Sequence, residues 1–412
     1  MTEDVVADTD LSNPEVCRHV HTAFDAMRTK NPVFRSPELR MVVVTGYDEA
    51  MEVLRDPERF SSKKTLRTAG GKKQPEVTDI LKQGYPYVDT LINTDGPRHH
   101  FHASLIKDYL TASRVRDLTE PITAEADALL DTIVEGVTVE FVDQISLPLT
   151  IGVLCLFTGV PREHRDLVEK ATDAEVALLG AVGTTERNVE NAKLIIELQK
   201  LLTDLIEQRR KDPADDLISY IVHTPPPDDL PALTMAEMVS ILRGVVIGGN
   251  ETTRGMINSS VLALARDPEL MNRIAVDENA FGRFIDEGLR HTSPVSMLFR
   301  SATCDTTIGG VSVQAGELIG VAYSAANRDP RRYECPHDWD IDRSNVRRHL
   351  AFGYGTHYCA GAPLGRLESR IAIRRILDRF ATITLAPEGE PSFMPSFMVR
   401  NMDSLPVRFT LR

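Results

Sequence analysis

The stretch Phe352-Gly353-Tyr354-Gly355-Thr356-His357-Tyr358-Cys359-Ala360-Gly361 decides how the rest of the chain is read. Two glycines before a cysteine and one just after it describe a tight, open backbone loop, because glycine serves where φ is positive or another group comes close. Downstream, Pro363 to Arg379 is expected to be a helix, with Leu364, Leu367, Ile371 and Leu377 on one side. Cys359 therefore precedes a helix N-terminus, where orphan N–H groups and the macrodipole favour an anion such as a thiolate. A thiolate in a glycine-lined loop is open to a large flat ligand, and haem iron accepts such an axial ligand. The alternatives are a buried structural cysteine and a zinc ligand. Zinc needs three or four ligands, usually at short spacings, and no second cysteine lies near Cys359.

The stretch resembles the haem-binding signature of the cytochrome P450 family, Phe-Gly-x-Gly-x-His-x-Cys-x-Gly, and meets every fixed position of it. The resemblance implies haem b as cofactor, Cys359 as its axial ligand, and Phe352 and His357 as loop residues beside it.

Composition sets bounds independently of that likeness. The chain has 412 residues, enough for two or three average domains or one large one. Its apolar content of 42% is ordinary for a globular protein. A net charge of −13 argues against nucleic acid or an anionic membrane as the main partner. Five scattered cysteines, an odd number, suggest a reducing compartment. Met1 to Asn13 is acidic and polar, expected to be a flexible segment, and shows no signal region. No run reaches the ~18 apolar residues of a membrane span. These features lead to the expectation of a cytoplasmic protein.

From the N-terminus the chain alternates at first. Pro14 to Lys30 is expected as an amphipathic helix, Met41 to Thr45 as a buried strand and Tyr47 to Arg55 as a helix stopped before Pro57. Ser61 to Thr94 is weakly periodic. Its lysine-rich half reads as a surface loop, while the half with Tyr85-Pro86-Tyr87 could cover a pocket. Asp95-Gly96-Pro97-Arg98-His99 opens another helix with Asp95 as N-cap. The resemblance implies that His99 bonds a haem propionate. Where the family usually has an Arg for the same propionate, this chain has Ala103, leaving His100 or His102 as substitutes or all three as a surface cluster.

Ala112 to Arg210 is nearly all helix, interrupted by a β-like Val137 to Val142. Glu175 to Gly183 is small and apolar, and in the family this segment roofs the substrate. Thr234-Met235-Ala236-Glu237 fits a capping box. Helical sequence then continues to Arg266, with Gly248-Gly249-Asn250-Glu251-Thr252-Thr253 at its centre. A glycine costs about 1 kcal/mol against alanine inside a helix, so the pair needs a reason, and close approach of a flat cofactor is one. An unpaired buried carboxylate is costly too. The family has small-Gly-x-acid-Thr here, which Gly248 to Thr252 match. The resemblance implies that Thr252 and Glu251 deliver the protons that O–O cleavage needs. The bland alternatives are a helix kink at Thr252 and a salt bridge for Glu251.

Glu287-Gly288-Leu289-Arg290 matches the family's Glu-x-x-Arg, completed by Arg343 into a structural network under the proximal loop. Alone, Glu and Arg three apart signal only a helix face. Arg300 matches a second propionate ligand. Val295, Met297 and Leu298, with Phe397 and Met398, match substrate-facing positions. Ile308 to Val313 and Glu317 to Val321 are expected as hairpin strands. Where family members often show Arg-Gly, this chain has Arg400-Asn401.

The expected fold is mainly α: one cytochrome P450 domain over residues 1–412, with a long central helix and a smaller β-rich part built from both ends of the sequence. The expected function is a haem-thiolate monooxygenase that inserts one oxygen atom from O2 into a small to medium apolar substrate (terpenoid, aromatic, steroid or polyketide-like). The rivals are a haem-binding sensor or carrier without turnover and a peroxide-dependent haem-thiolate enzyme. The length suggests no fused reductase, so a separate ferredoxin, or else a flavodoxin, is expected as electron donor. Arg331, Arg332, Arg343, Arg347, Arg348, Arg366, Arg370, Arg374 and Arg375 flank the haem loop and predict a basic docking patch.

Overall fold

The computed structural model describes residues 10–11, 13–66, 74–179 and 184–412. Most of the expected flexible segment, the Gly70-Gly71 and Lys72-Lys73 pairs and the end of the expected roof (180–183) lie outside them. The chain divides into two compact units. One is formed by residues up to Ser61, Ile122–Leu149 and Glu251–Arg412, the other by Ser62–Pro121 and Thr150–Asn250.

The second unit is helical. Helix Thr185–Lys211 packs on Arg165–Leu179 and Pro75–Leu81, burying Val77, Ala174, Leu178, Ala192 and Ile195 between them. Helix Gly96–Lys107 follows Asp95, but the Asp95 carboxylate does not cap it. It accepts from the Ser62 amide at 3.1 Å instead. The central helix, Met235–Arg266, begins in this unit and continues into the other. Its capping box is formed: the Glu237 amide donates to Thr234 Oγ1 at 3.2 Å and the Thr234 amide to Glu237 Oε2 at 2.9 Å.

The first unit carries the strands. A five-stranded sheet runs in the order Val33–Ser36, Met41–Val44, Leu318–Val321, Leu298–Ala302, Phe60–Ser61, so residues from both halves of the chain build it. Met41–Val44 and Leu318–Val321 pair in parallel, Val42 opposite Ile319, and both are buried along their whole length, as central parallel strands are. This corrects the hairpin expectation. Val311–Val313 pairs with Thr306–Ile308 across Gly309 and Gly310, at φ +52° and +85°, while Leu318–Val321 leaves for the larger sheet. Helix Tyr47–Arg55 lies over this sheet through Tyr47, Ala50, Met51, Val53 and Leu54. Two further boundaries shift. The expected helix at Pro14 to Lys30 breaks at His19 into Pro14–Arg18 and Val20–Lys30. The β-like run at Val137 keeps only Val139–Glu140 as strand and then winds into a π-helical turn, Val142–Ser146. Among the described residues no helix is long and apolar enough to cross a membrane.

Candidate active site

In the loop before helix Ala362–Arg379, Gly353 and Gly355 both have φ +70°, a conformation side-chain-bearing residues rarely adopt. A Cβ on Gly355 would also stand 2.8 Å from the Leu54 carbonyl oxygen, so the loop sits tightly on the end of helix Tyr47–Arg55. The Cys359 amide donates to the Phe352 carbonyl at 2.9 Å, closing the loop on itself, and Cys359 is exposed. His357 ends a short 3-10 turn, Gly355–His357. The Phe352 ring lies under the Arg366 guanidinium, 5.1 Å from its centroid.

A buried network anchors this loop. Arg290 grips Glu287 with two bonds of 2.7 Å, and both side chains are fully buried. Arg343 Nε adds a third at 3.2 Å. Arg290 also donates to the Asn327 and Pro336 carbonyls, each at 2.9 Å. Asn327 passes the support on: its Oδ1 accepts the Leu350 amide at 2.7 Å, two residues before Phe352. A buried ion pair is tolerable only when its spare lone pairs and protons are bonded in this way.

Arg300 is buried on strand Leu298–Ala302. Its guanidinium donates to the Phe299 carbonyl at 2.8 Å, and no carboxylate among the described residues pairs with it. It bears on Tyr323, whose phenol burial pushes up and Arg300 pulls down. The Tyr323 hydroxyl in turn lies 3.9 Å from where a Gly353 Cβ would be. Arg300, Tyr323 and the cysteine loop thus form one neighbourhood.

On the central helix Glu251 is 2% exposed and already engaged. Arg254 Nη2 donates to its Oε1 at 2.6 Å and Asn401 Nδ2 to its Oε2 at 2.9 Å. The salt bridge foreseen as an alternative is therefore present. Thr252, the next residue, is half-buried. In the other unit, an added Cβ would meet nothing within 4 Å at Gly248, whereas at Gly249 it would meet Leu154 Cδ2 at 2.5 Å. Close packing of a neighbouring helix is thus a sufficient reason for Gly249, and open space remains only at Gly248. Asn250 is buried and accepts from Thr150 Oγ1 at 2.6 Å.

The substrate-facing candidates are partly brought together. The Ser296 amide donates to the Met398 carbonyl at 2.8 Å, Val295 bridges Val399, and the Arg400 amide bonds the Pro294 carbonyl at 2.7 Å. This stitches the segment of Val295 and Leu298 to that of Phe397 and Met398. Met297 departs from them. It is fully buried, its sulfur 2.6 Å from where a Gly320 Cβ would sit, beside that of Met41. The alternation of extended chain sends it into the sheet.

A model of the cytochrome P450 family matches residues 281–405. A steroid C26-monooxygenase of Mycolicibacterium smegmatis is 32% identical over 393 residues, 94% of this chain and 92% of that protein. The chain belongs to the cytochrome P450 family. A 6-deoxyerythronolide B hydroxylase of Saccharopolyspora erythraea is also 32% identical, covering 89% of each chain. Among solved structures, a cytochrome P450 from Bacillus megaterium in complex with testosterone superposes with a TM-score of 0.82 at 27% identity, covering 96% of this chain and 99% of that one. The protein is accordingly a monooxygenase, an oxidoreductase whose family binds haem b through a cysteine thiolate.

The residues present in this cytochrome P450 fit that group. A buried guanidinium without a carboxylate partner is costly, and Arg300 beside the Cys359 loop is suited to an anionic propionate. His99, in the other unit, is buried on helix Gly96–Lys107. Of the two substitutes for the arginine missing at Ala103, the buried His102 does not supply its charge. His102 is 1% exposed, and burial, then Arg98, lowers its pKa to about 4, while its Nδ1 accepts the Leu91 amide at 3.4 Å. His100 is exposed.

Two residues of the site carried no sequence signal: Tyr323 and Asn327 are single polar residues that no motif marks, while Asn401 stood out only as a departure from the family's Arg-Gly. The predicted basic patch is also smaller than the sequence implies. Arg347 and Arg366 share Asp286, Arg370 and Arg374 share Glu278, Arg375 pairs with Asp127 and Arg331 with Glu49.

Proposed function

We propose that this cytochrome P450 works as one catalytic domain in the cytoplasm. It inserts one oxygen atom from O2 into an apolar organic molecule of steroid, terpenoid, aromatic or polyketide-like size, with electrons from a separate ferredoxin. The observation that carries the substrate class is the stitched pair of segments presenting Val295, Leu298, Phe397 and Met398, with no charged side chain among the four. The steroid C26-monooxygenase and testosterone-bound relatives support the same size range.

Haem b, when bound, supplies the redox chemistry for splitting O2, and electron density from the thiolate favours that cleavage. Cys359 is the proposed axial ligand, and Phe352 and His357 flank it. Arg300, braced by Tyr323, and His99 are the proposed propionate partners. Gly248 leaves room on the central helix. Thr252 holds and passes a proton at its Oγ1, and Glu251 resupplies it by taking a proton from solvent onto its carboxylate and handing it on; such general acid steps contribute roughly 10²–10⁴-fold.

Titration of the purified holoprotein with steroids, terpenoids and macrolactones, followed by the Soret band, tests the substrate class. Tight spectral binding and product with at least one apolar class is expected. No spectral shift and no product with any of these classes would reject it. Cys359→His is expected to abolish the red-shifted ferrous–CO band and oxygen insertion, and retention of both would remove Cys359 from the role.

A further inference from the structure

The C-terminal segment reaches the relay acid directly. Asn401 is 1% exposed, and every hydrogen-bonding position of its side chain is used. Its Oδ1 accepts the Met402 amide at 2.8 Å and Asn258 Nδ2 at 3.3 Å. Its Nδ2 donates to Glu251 Oε2 at 2.9 Å and to the Glu251 carbonyl oxygen at 3.3 Å. A backbone N–H can only donate, so the Met402 amide fixes which end of the Asn401 amide is oxygen. The end facing Glu251 is therefore the donor. The close approach is built into the helix, since a Cβ on Gly255 would stand 2.7 Å from the Arg400 carbonyl oxygen.

The charges around Glu251 divide clearly. Arg254, one helical turn along, takes Oε1. The Arg400 side chain turns away, to the Arg18 carbonyl at 2.6 Å and over the Phe393 ring at 3.4 Å. Glu251 is thus held by one cation from its own helix and one amide from the facing segment.

We propose that Asn401 is a positioning residue for Glu251, restraining the carboxylate against Arg254 so that proton delivery requires release of the Asn401–Oε2 bond. This rests on the relay role of Glu251 given above.

The test uses the haem-loaded protein and its Asn401→Gly and Asn401→Asp variants. The carboxylate infrared band of Glu251, assigned by its loss in Glu251→Gln, is expected to shift in both, since Asn401→Gly removes the donor to Oε2 and Asn401→Asp sets a second carboxyl group against it. In a single turnover, the solvent-deuterium-sensitive step is expected to quicken about tenfold in Asn401→Gly, the equivalent of one hydrogen bond to a charged group. An unshifted band in both variants overturns the proposal. So does a step that Glu251→Gln slows and Asn401→Gly fails to quicken. If Glu251→Gln leaves the step unchanged, the relay role fails and the band alone judges the positioning role. Asn401→Asp keeps the side-chain volume and so covers a folding failure of the glycine variant.

Discussion

The carbonyl oxygen of Leu54 lies 2.8 Å from the point where a Cβ on Gly355 would sit. The last turn of helix Tyr47–Arg55 therefore dictates the backbone of the cysteine loop from outside it. With φ at +70°, Gly355→Ala combines left-handed strain with a backbone collision, and a loss of about 2–4 kcal/mol is expected. Denaturant midpoints and haem retention measure it. A variant as stable as the parent would mean that the loop is not held against Leu54.

Glu287→Gln keeps the shape of its side chain but removes the charge facing Arg290 and Arg343. Breaking a fully buried pair costs about 3–5 kcal/mol because the remaining cation is stranded. The loss should reach the loop through Asn327 and Leu350, so haem occupancy is expected to fall with stability. Loss of stability with full haem occupancy would cut that link.

Glu368, on helix Ala362–Arg379, is 2% exposed, and its Oε1 has no hydrogen-bond partner. Burial alone drives its carboxyl well above the ordinary 4.5, which favours the protonated form in the fold. Below the unfolded pKa both states are protonated and the contribution to stability is complete. Above it the unfolded chain loses the proton first, so stability falls as pH rises towards the folded value. Glu368→Gln should remove this slope, gaining up to ~1.4 kcal/mol per pH unit over the parent. Denaturant titrations from mildly acidic to neutral pH should diverge, and parallel curves would show that Glu368 is ionised in the fold.

Electron transfer should be steered by the cations that internal pairing does not neutralise. Arg55 is exposed and stacks on the exposed Tyr354 at 5.5 Å, and Arg348 is exposed near the loop. Arg347 is 79% exposed despite its bond to Asp286. Charge reversal to Glu at Arg55, Arg347 or Arg348 is expected to slow reduction by a ferredoxin roughly tenfold at low salt, with the difference vanishing as salt rises. Arg331→Glu, whose charge Glu49 and Asp329 already offset, should matter less. Equal, salt-independent rates for all four would place docking elsewhere.

The chain by itself determined the cysteine loop, the long capped helix with its Gly248-to-Thr252 centre, and the Glu287–Arg290 pair, whereas Arg343, far along the chain, was reached only through the resemblance. The first three are spelled by near neighbours, where spacing alone fixes which side chains share a turn or a face. The tertiary structure alone decided the rest. Leu318–Val321 and its hairpin neighbours are all short and rich in β-branched residues, so only its partners Met41–Val44 and Leu298–Ala302 assign the strand to the larger sheet. Met297 reads as pocket lining until its neighbours Met41 and Gly320 are known. The flanking arginines look like one patch until Asp286, Glu278 and Asp127 fold back onto them. Glu251 and Asn401 lie 150 positions apart, and a hydrogen bond at that separation leaves no periodic trace, because chain folding and not local propensity brings donor and acceptor within 2.9 Å.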